Sequence, residues 1–183
     1  LALGLENYVV VSGGMLPVYN AGSLEQTQFF KLLKSLADSS VKMVFIAIDP
    51  EDLRLKNIAQ ELGAPFFGPE TSAEEVIGII GESSGLLSGR YHHLIFALAQ
   101  SVPVTVLSTT SQKIRGLVDF YGDLSIPIYN QTALWRDAEF IRKRVIQMVG
   151  DSDEWSRRIE DISQRLIRDT RKQLKHALGE LLG

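Results

Sequence analysis

The sequence predicts an α/β fold: a doubly wound, Rossmann-like parallel sheet of about six strands with helices on both faces. Three observations carry this. Short β-rich apolar runs alternate with helix-compatible segments along the chain. The first run, Tyr8-Val9-Val10-Val11-Ser12, is apolar without alternation, as expected of a strand buried on both faces. Several helical segments open on recognisable caps. Right-handed crossovers between parallel strands then give the doubly wound arrangement.

Strand one ends at Ser12-Gly13-Gly14, and a loop follows through Pro17, Asn20 and Gly22. Ser23-Leu24-Glu25-Gln26 reads as a capping box, and the helix it opens carries Phe29, Leu32, Leu33 and Leu36 on one face. Lys42 to Ile48 is the second strand. Asp49-Pro50 reads as the cap and first position of a second helix, with Leu53, Leu55, Ile58 and Leu62 on its apolar side and Gly63 at its end. Pro65-Phe66-Phe67 is a short third strand, and Ser72-Ala73-Glu74-Glu75 is a second capping box before Val76, Ile79 and Ile80. Strand four runs from Gly85 to Ser88, and the helix after it from about Arg90 to Gln100. Strand five is Val102 to Leu107, followed by the turn Ser108-Thr109-Thr110-Ser111 and a helix from Gln112 to Tyr121, closed by Gly122. Ile126-Pro127-Ile128 is a sixth strand whose proline suits an edge or a strand start. Trp135 to Val149 is helical, and Gly150 breaks it.

From Asp153 to Leu182 the pattern is one long amphipathic helix, or two with a kink. Its apolar stripe is Trp155, Ile159, Ile162, Leu166, Leu174, Leu178 and Leu181. The expected organisation is a sheet domain over residues 1–150 and a C-terminal helical extension over 151–183. That extension would pack on the domain or on a missing N-terminal domain.

Composition narrows the function. The 183 residues suit one domain, and 45% hydrophobic with 22% charged residues is ordinary for a globular chain. A net charge of −3 and a pI near 5.6 argue against a general nucleic-acid binder while allowing a local cationic pocket. With no cysteine there is no disulfide, thiolate nucleophile or zinc–thiolate site, and a cytoplasmic location is expected. No apolar run reaches the ~18 residues of a membrane span. Leu1 to Leu5 is apolar but short and has no basic leader, so no signal peptide is expected. The chain does not start with Met, so a fragment lacking a preceding part is the expectation.

The chemistry concentrates at Ser88-Gly89-Arg90-Tyr91-His92-His93. A helix start offers unpaired N–H groups and a partial positive charge, which favour anions. Arg90 adds a guanidinium fork suited to phosphate or carboxylate. His92 and His93 are two of the three histidines, and imidazole is the side chain most easily poised for proton transfer near neutral pH. The plainer alternative is a surface arginine beside a half-buried histidine pair. In a doubly wound sheet ligands bind where strand order reverses, between strands one and four, so Ser12, Gly13 and Gly14 would face Gly89 and Arg90. The glycines would let a ligand approach the backbone, or would only make a tight turn. Lys113 could bind an anion at the same edge or be merely solvated. No G-x-G-x-x-G follows strand one, so no dinucleotide cofactor is expected, and no Walker-type loop occurs. Adjacent histidines on a helix point about 100° apart, so no metal site is expected.

Arg90-Tyr91-His92-His93-Leu94-Ile95-Phe96-Ala97, then Val102-Pro103-Val104 and Lys113, resembles the polysaccharide pyruvyl transferase family. Its pattern is R-[LY]-H-x-x-x-x-A, a G-V-P-type strand and a loop with a lysine. The resemblance is specific over about Gly85 to Gly122. It implies one half of a GT-B-like architecture, the C-terminal, donor-side domain. It further implies transfer of a pyruvyl group from phosphoenolpyruvate to a sugar of a cell-surface polysaccharide or its precursor, with no separate cofactor. Arg90 would grip the donor's phosphate or carboxylate, and His92 would serve as general acid or base. Tyr91, His93 and Lys113 would join the substrate site. The implied partners are the donor, a glycan acceptor and an N-terminal domain of the same protein. Four departures stand out: Tyr91 where Leu is frequent, His93 where a small residue is frequent, Ser101 for Gly, and Ser111-Gln112-Lys113 for Asp-Pro-Lys. A GT-B-type glycosyltransferase using a nucleotide-sugar, or a non-catalytic Rossmann-like binding module, remain the alternative readings.

Overall fold

The computed structural model describes residues 4–14, 24–107, 111–130 and 136–182, and the side chains within these except 24–27 and 176–182. Six parallel strands form one sheet in the order β3-β2-β1-β4-β5-β6. They are β1 (Tyr8–Ser12), β2 (Lys42–Ile46), β3 (Phe66–Phe67), β4 (Gly85–Ser88), β5 (Val104–Leu107) and β6 (Ile128–Tyr129). The helices are α1 (Leu24–Asp38), α2 (Leu55–Glu61), α3 (Ala73–Gly81), α4 (Tyr91–Ala99), α5 (Gln112–Phe120), α6 (Ala138–Gly150) and α7 (Ser152–Leu182). Strand order reverses between β1 and β4, as the sequence predicts.

Every residue of β1 is buried, which explains its unbroken apolarity. Alternate side chains serve two cores. Tyr8 and Val10 pack with α3, α4, α5 and the start of α7. Val9 and Val11 pack with α1, α2 and α6. Phe29, Leu32, Leu33 and Leu36 form the buried stripe of α1, while its cap residue Ser23 and the loop through Pro17, Asn20 and Gly22 lie outside the described residues, and the Gln26 side chain outside the described side chains. Tyr8 donates its hydroxyl proton to the Ile79 carbonyl (2.7 Å), tying the central strand to α3. The Ser72 capping box forms in full: Ser72 Oγ accepts from the Glu75 N–H (3.2 Å), and the Ser72 N–H donates to Glu75 Oε2 (2.9 Å).

Several boundaries differ from expectation for stated reasons. The segment after β2 starts as a 3₁₀ turn, Pro50–Arg54, before α2, so Leu53 turns outward and is 41% exposed. Asp49 occupies the cap position without a side-chain cap hydrogen bond, because its carboxylate is engaged by Arg90. β5 and β6 start just after Pro103 and Pro127. Proline cannot donate to a ladder, but each proline carbonyl accepts, from Leu86 N–H (2.8 Å) and Val106 N–H (3.3 Å). Gly150 is the last residue of α6, and α7 follows almost at once as a single helix.

The first half of α7 belongs to the domain's core, with Ile159 and Ile162 buried and Trp155 and Leu166 packed against them. Packing therefore continues past residue 150. From Ile167 to Lys175 every side chain is exposed, including Ile167 and Leu174.

Candidate functional site

The ends of β1 and β4 are laced together by backbone. The Gly89 N–H donates to the Gly13 carbonyl (3.0 Å). Gly14 has φ +82°, and a Cβ there would lie 2.5 Å from the Gly89 carbonyl carbon. A Cβ on Gly89 would run into the carbonyl oxygens of Gly14 and Leu107, and one on Gly13 into the Asp52 carboxyl. In this structure the space left by the missing side chains is filled by chain-to-chain contact.

Beneath these turns lies a buried relay. Ser12 Oγ donates to Ser88 Oγ (2.5 Å), and Ser88 Oγ accepts from the Arg90 N–H (2.9 Å). His93 Nδ1 lies 2.8 Å from Ser12 Oγ. With the Ser12 proton committed to Ser88, Nδ1 carries the hydrogen and Nε2 the lone pair. His93 is 3% exposed. Burial, helped by the Arg90 and His92 charges, pushes its pKa down to about 4. It is therefore neutral near neutral pH.

Arg90 is held by two acids. Its Nε and Nη2 each lie 2.8 Å from Asp52 Oδ2, and its Nη1 lies 2.5 Å from Asp49 Oδ2. Asp52 is 1% exposed, and its Oδ1 accepts from the Gly14 N–H (3.2 Å). Burial raises the Asp52 pKa, opposed by the Arg90 charge and the Gly14 hydrogen bond. The Asp49 side chain is half-exposed. Arg90 is thus fixed in direction, and its charge is balanced on the spot.

These groups border a crevice of about 550 Å³. Gly14, Gly89, Arg90, Tyr91, His92 and His93 line it together with Asp49 and Asp52. His92 is exposed, with the Tyr91 ring edge-on at 5.7 Å. Ser12, Gly13 and Lys113 do not line this cavity. Ser12 and Gly13 are buried below the floor, consumed by the relay and by Asp52. Lys113 is exposed on α5 and is not part of the lining, whereas its neighbour Ser111 is. The hydroxyls of Ser108 to Thr110 lie outside the described residues. Sequence reasoning missed Asp52, and it named Ser88 only as part of the turn, without its hydrogen bonds to Ser12 and the Arg90 N–H. Asp52 sits in Asp49-Pro50-Glu51-Asp52, which reads as an ordinary acidic helix start. Among the described residues no cluster of His, Asp or Glu could hold a metal ion, and no helix is long and apolar enough to cross a membrane.

A doubly wound parallel sheet with its crevice at the β1–β4 reversal defines the class, a Rossmann-like α/β domain. The chain belongs to the polysaccharide pyruvyl transferase family, whose profile matches residues 9–111, from β1 to the rim of the crevice. Its fold is similar to that of the C-terminal CMP-Kdo binding domain of WaaA from Acinetobacter baumannii. There the TM-score is 0.57 and the identity 16%, over 86% of this chain and 89% of that one. The glycosyltransferase of kitacinnamycin gives a TM-score of 0.56 at 11% identity, over 89% of this chain. This chain spans 40% of that protein. At these identities the likeness is one of fold. No curated protein has a matching sequence.

Proposed function

We propose that this chain forms the donor side of a cytoplasmic pyruvyl transferase that takes its pyruvyl group from phosphoenolpyruvate. The acceptor would be a pair of sugar hydroxyls presented by a facing domain. The observation that supports this most is that Arg90 and His92, two residues apart at the start of α4, open onto one cavity of about 550 Å³. Ketal formation needs a proton on the enol methylene carbon, removal of protons from the attacking hydroxyls, and stabilisation of the departing phosphate. His92 is the exposed imidazole and carries the proton; His93, neutral and buried, orients the turn. The donor's phosphate or carboxylate replaces half-exposed Asp49 on Arg90 Nη1, while buried Asp52 keeps the fork aimed.

Calorimetry of the intact protein with phosphoenolpyruvate tests the reading. Binding is expected, lost in Arg90→Gln and retained in His92→Asn, with turnover abolished in the latter. Protection by nucleotide-sugars with no affinity for phosphoenolpyruvate would overturn the donor.

A further inference from the structure

A second cavity, of about 440 Å³, lies along the outer side of β6 between α6 and the start of α7. We propose that it is a separate binding site for a small molecule of sugar size that carries a phosphate or carboxylate group.

The wall is cationic in a chain whose net charge is −3. Lys143, Arg144 and Arg158 line it, with one carboxylate, Asp123, and with Trp155, Tyr129 and Phe140. The carboxylates nearby are largely committed. Asp123 is paired with Arg165 at 2.5 Å, and Glu139 is held by Arg142 at 3.0 Å and approached by Lys143 at 4.0 Å. Asp137 is close enough to bear on Tyr129. Arg158 spends one N–H on the Asp123 carbonyl (3.3 Å). Neither Arg144 nor Arg158 has a carboxylate partner among the described residues.

What holds the two guanidinium groups is an aromatic ring. Arg144 Cζ lies 4.2 Å and Arg158 Cζ 5.0 Å from the Trp155 centroid. A ring positions a cation without cancelling its charge or occupying the N–H fork. Two like charges are thereby brought together; burial and, less strongly, Arg158 destabilise the charged form of Arg144, opposed by Tyr129. An oxyanion in the cavity that both arginines line would relieve this. The Tyr129 side chain adds a second irregularity. The residue is 8% exposed, and its hydroxyl is buried with no hydrogen-bond partner among the described residues. A buried hydroxyl without a partner is uncommon. The Phe140 ring packs in a T-shaped arrangement with the Tyr129 ring at 6.3 Å and is 64% exposed. The volume suits a molecule of sugar size rather than a bare ion.

Three probes separate the chemistries: inorganic phosphate, a hexose 6-phosphate and a hexuronate. Titrated into the ¹⁵N-labelled chain, the phosphorylated or carboxylated sugar is expected to bind saturably and move the Trp155 indole N–H signal. Preference between the two sugars assigns the anion, and weaker binding of inorganic phosphate shows that the sugar body contributes. Arg144→Gln and Arg158→Gln should each weaken binding roughly tenfold or more, the factor carried by a hydrogen bond to a charged group. Binding should persist in Arg90→Gln, which separates this site from the crevice. Absence of saturable binding by all three probes overturns the proposal. So does binding that leaves the indole signal unmoved, or that survives both arginine substitutions in folded protein.

Discussion

In the crevice Arg90 is held by carboxylates; at the β6 edge Arg144 and Arg158 are held by the Trp155 ring. Both devices fix a guanidinium in space, with opposite consequences for its charge. Asp52 and Asp49 give Arg90 a direction and neutralise it, so an incoming anion must displace one of them. Trp155 gives two arginines a location and leaves their charge available. Asp52 is buried and hydrogen-bonded to Gly14, so it belongs to the frame. Asp49 is half-exposed, so it is the replaceable partner.

The strongest way to break this contrast is to remove the two supports in turn. Asp52→Ala leaves Arg90 without its buried partner and should cost about 3–5 kcal/mol of stability in urea unfolding. Trp155→Leu should cost only about 1–2 kcal/mol, the worth of two part-exposed cation–π contacts. Equal losses would mean that the two arginines are held alike.

Next in size is the pH dependence set by the relay behind Arg90. The folded-state pKa of His93 lies near 4, below the usual 6.5, so the unfolded chain binds the extra proton first. The contribution is complete above about pH 6.5 and is lost as pH falls toward 4. Its size is roughly 3 kcal/mol, from the shift and the free energy per pH unit. Melting temperature should drop across that window, and His93→Asn should flatten the drop. An unchanged slope in that variant would show that His93 titrates normally.

A smaller effect sharpens the role of Asp49. Asp49→Asn removes a competing carboxylate from Arg90 Nη1 and should tighten phosphoenolpyruvate binding about threefold, in line with the modest worth of an exposed ion pair. Weakened binding would place Asp49 in the frame with Asp52. Smallest of all is Lys113→Ala. Its side chain lies outside the crevice lining, so donor affinity should change by less than about twofold at physiological salt.

Much of the fold is legible in the chain because its signals are local. The all-buried β1, the Ser72 capping box and the α1 stripe follow from residue order alone. The turn Ser88-Gly89-Arg90 is legible for the same reason, since glycine before a helix start leaves a mark in sequence. What misled was the reading of acids and glycines by their neighbours in sequence. Asp49 looks like a cap and Asp52 carries no signal of its own in the sequence, yet both turn to a residue some forty positions away. Gly13, Gly14 and Gly89 read as a tight turn or as room for a ligand; in the structure they give room to Asp52 and to one another, and Gly14 and Gly89 also line the crevice.

The sequence by itself determined which segments are strands and helices, the doubly wound class, and which short stretch gathers an arginine and two histidines. Periodicity and capping are short-range, so they can be read residue by residue. Only the tertiary structure decided what neutralises Arg90, which histidine is sealed from water, and where two arginines meet a tryptophan. Those outcomes depend on which strand ends lie side by side. The β2 and β4 ends flank β1 and bring Asp52 to Arg90, while α6 and α7 bring Arg144 and Arg158 to one ring.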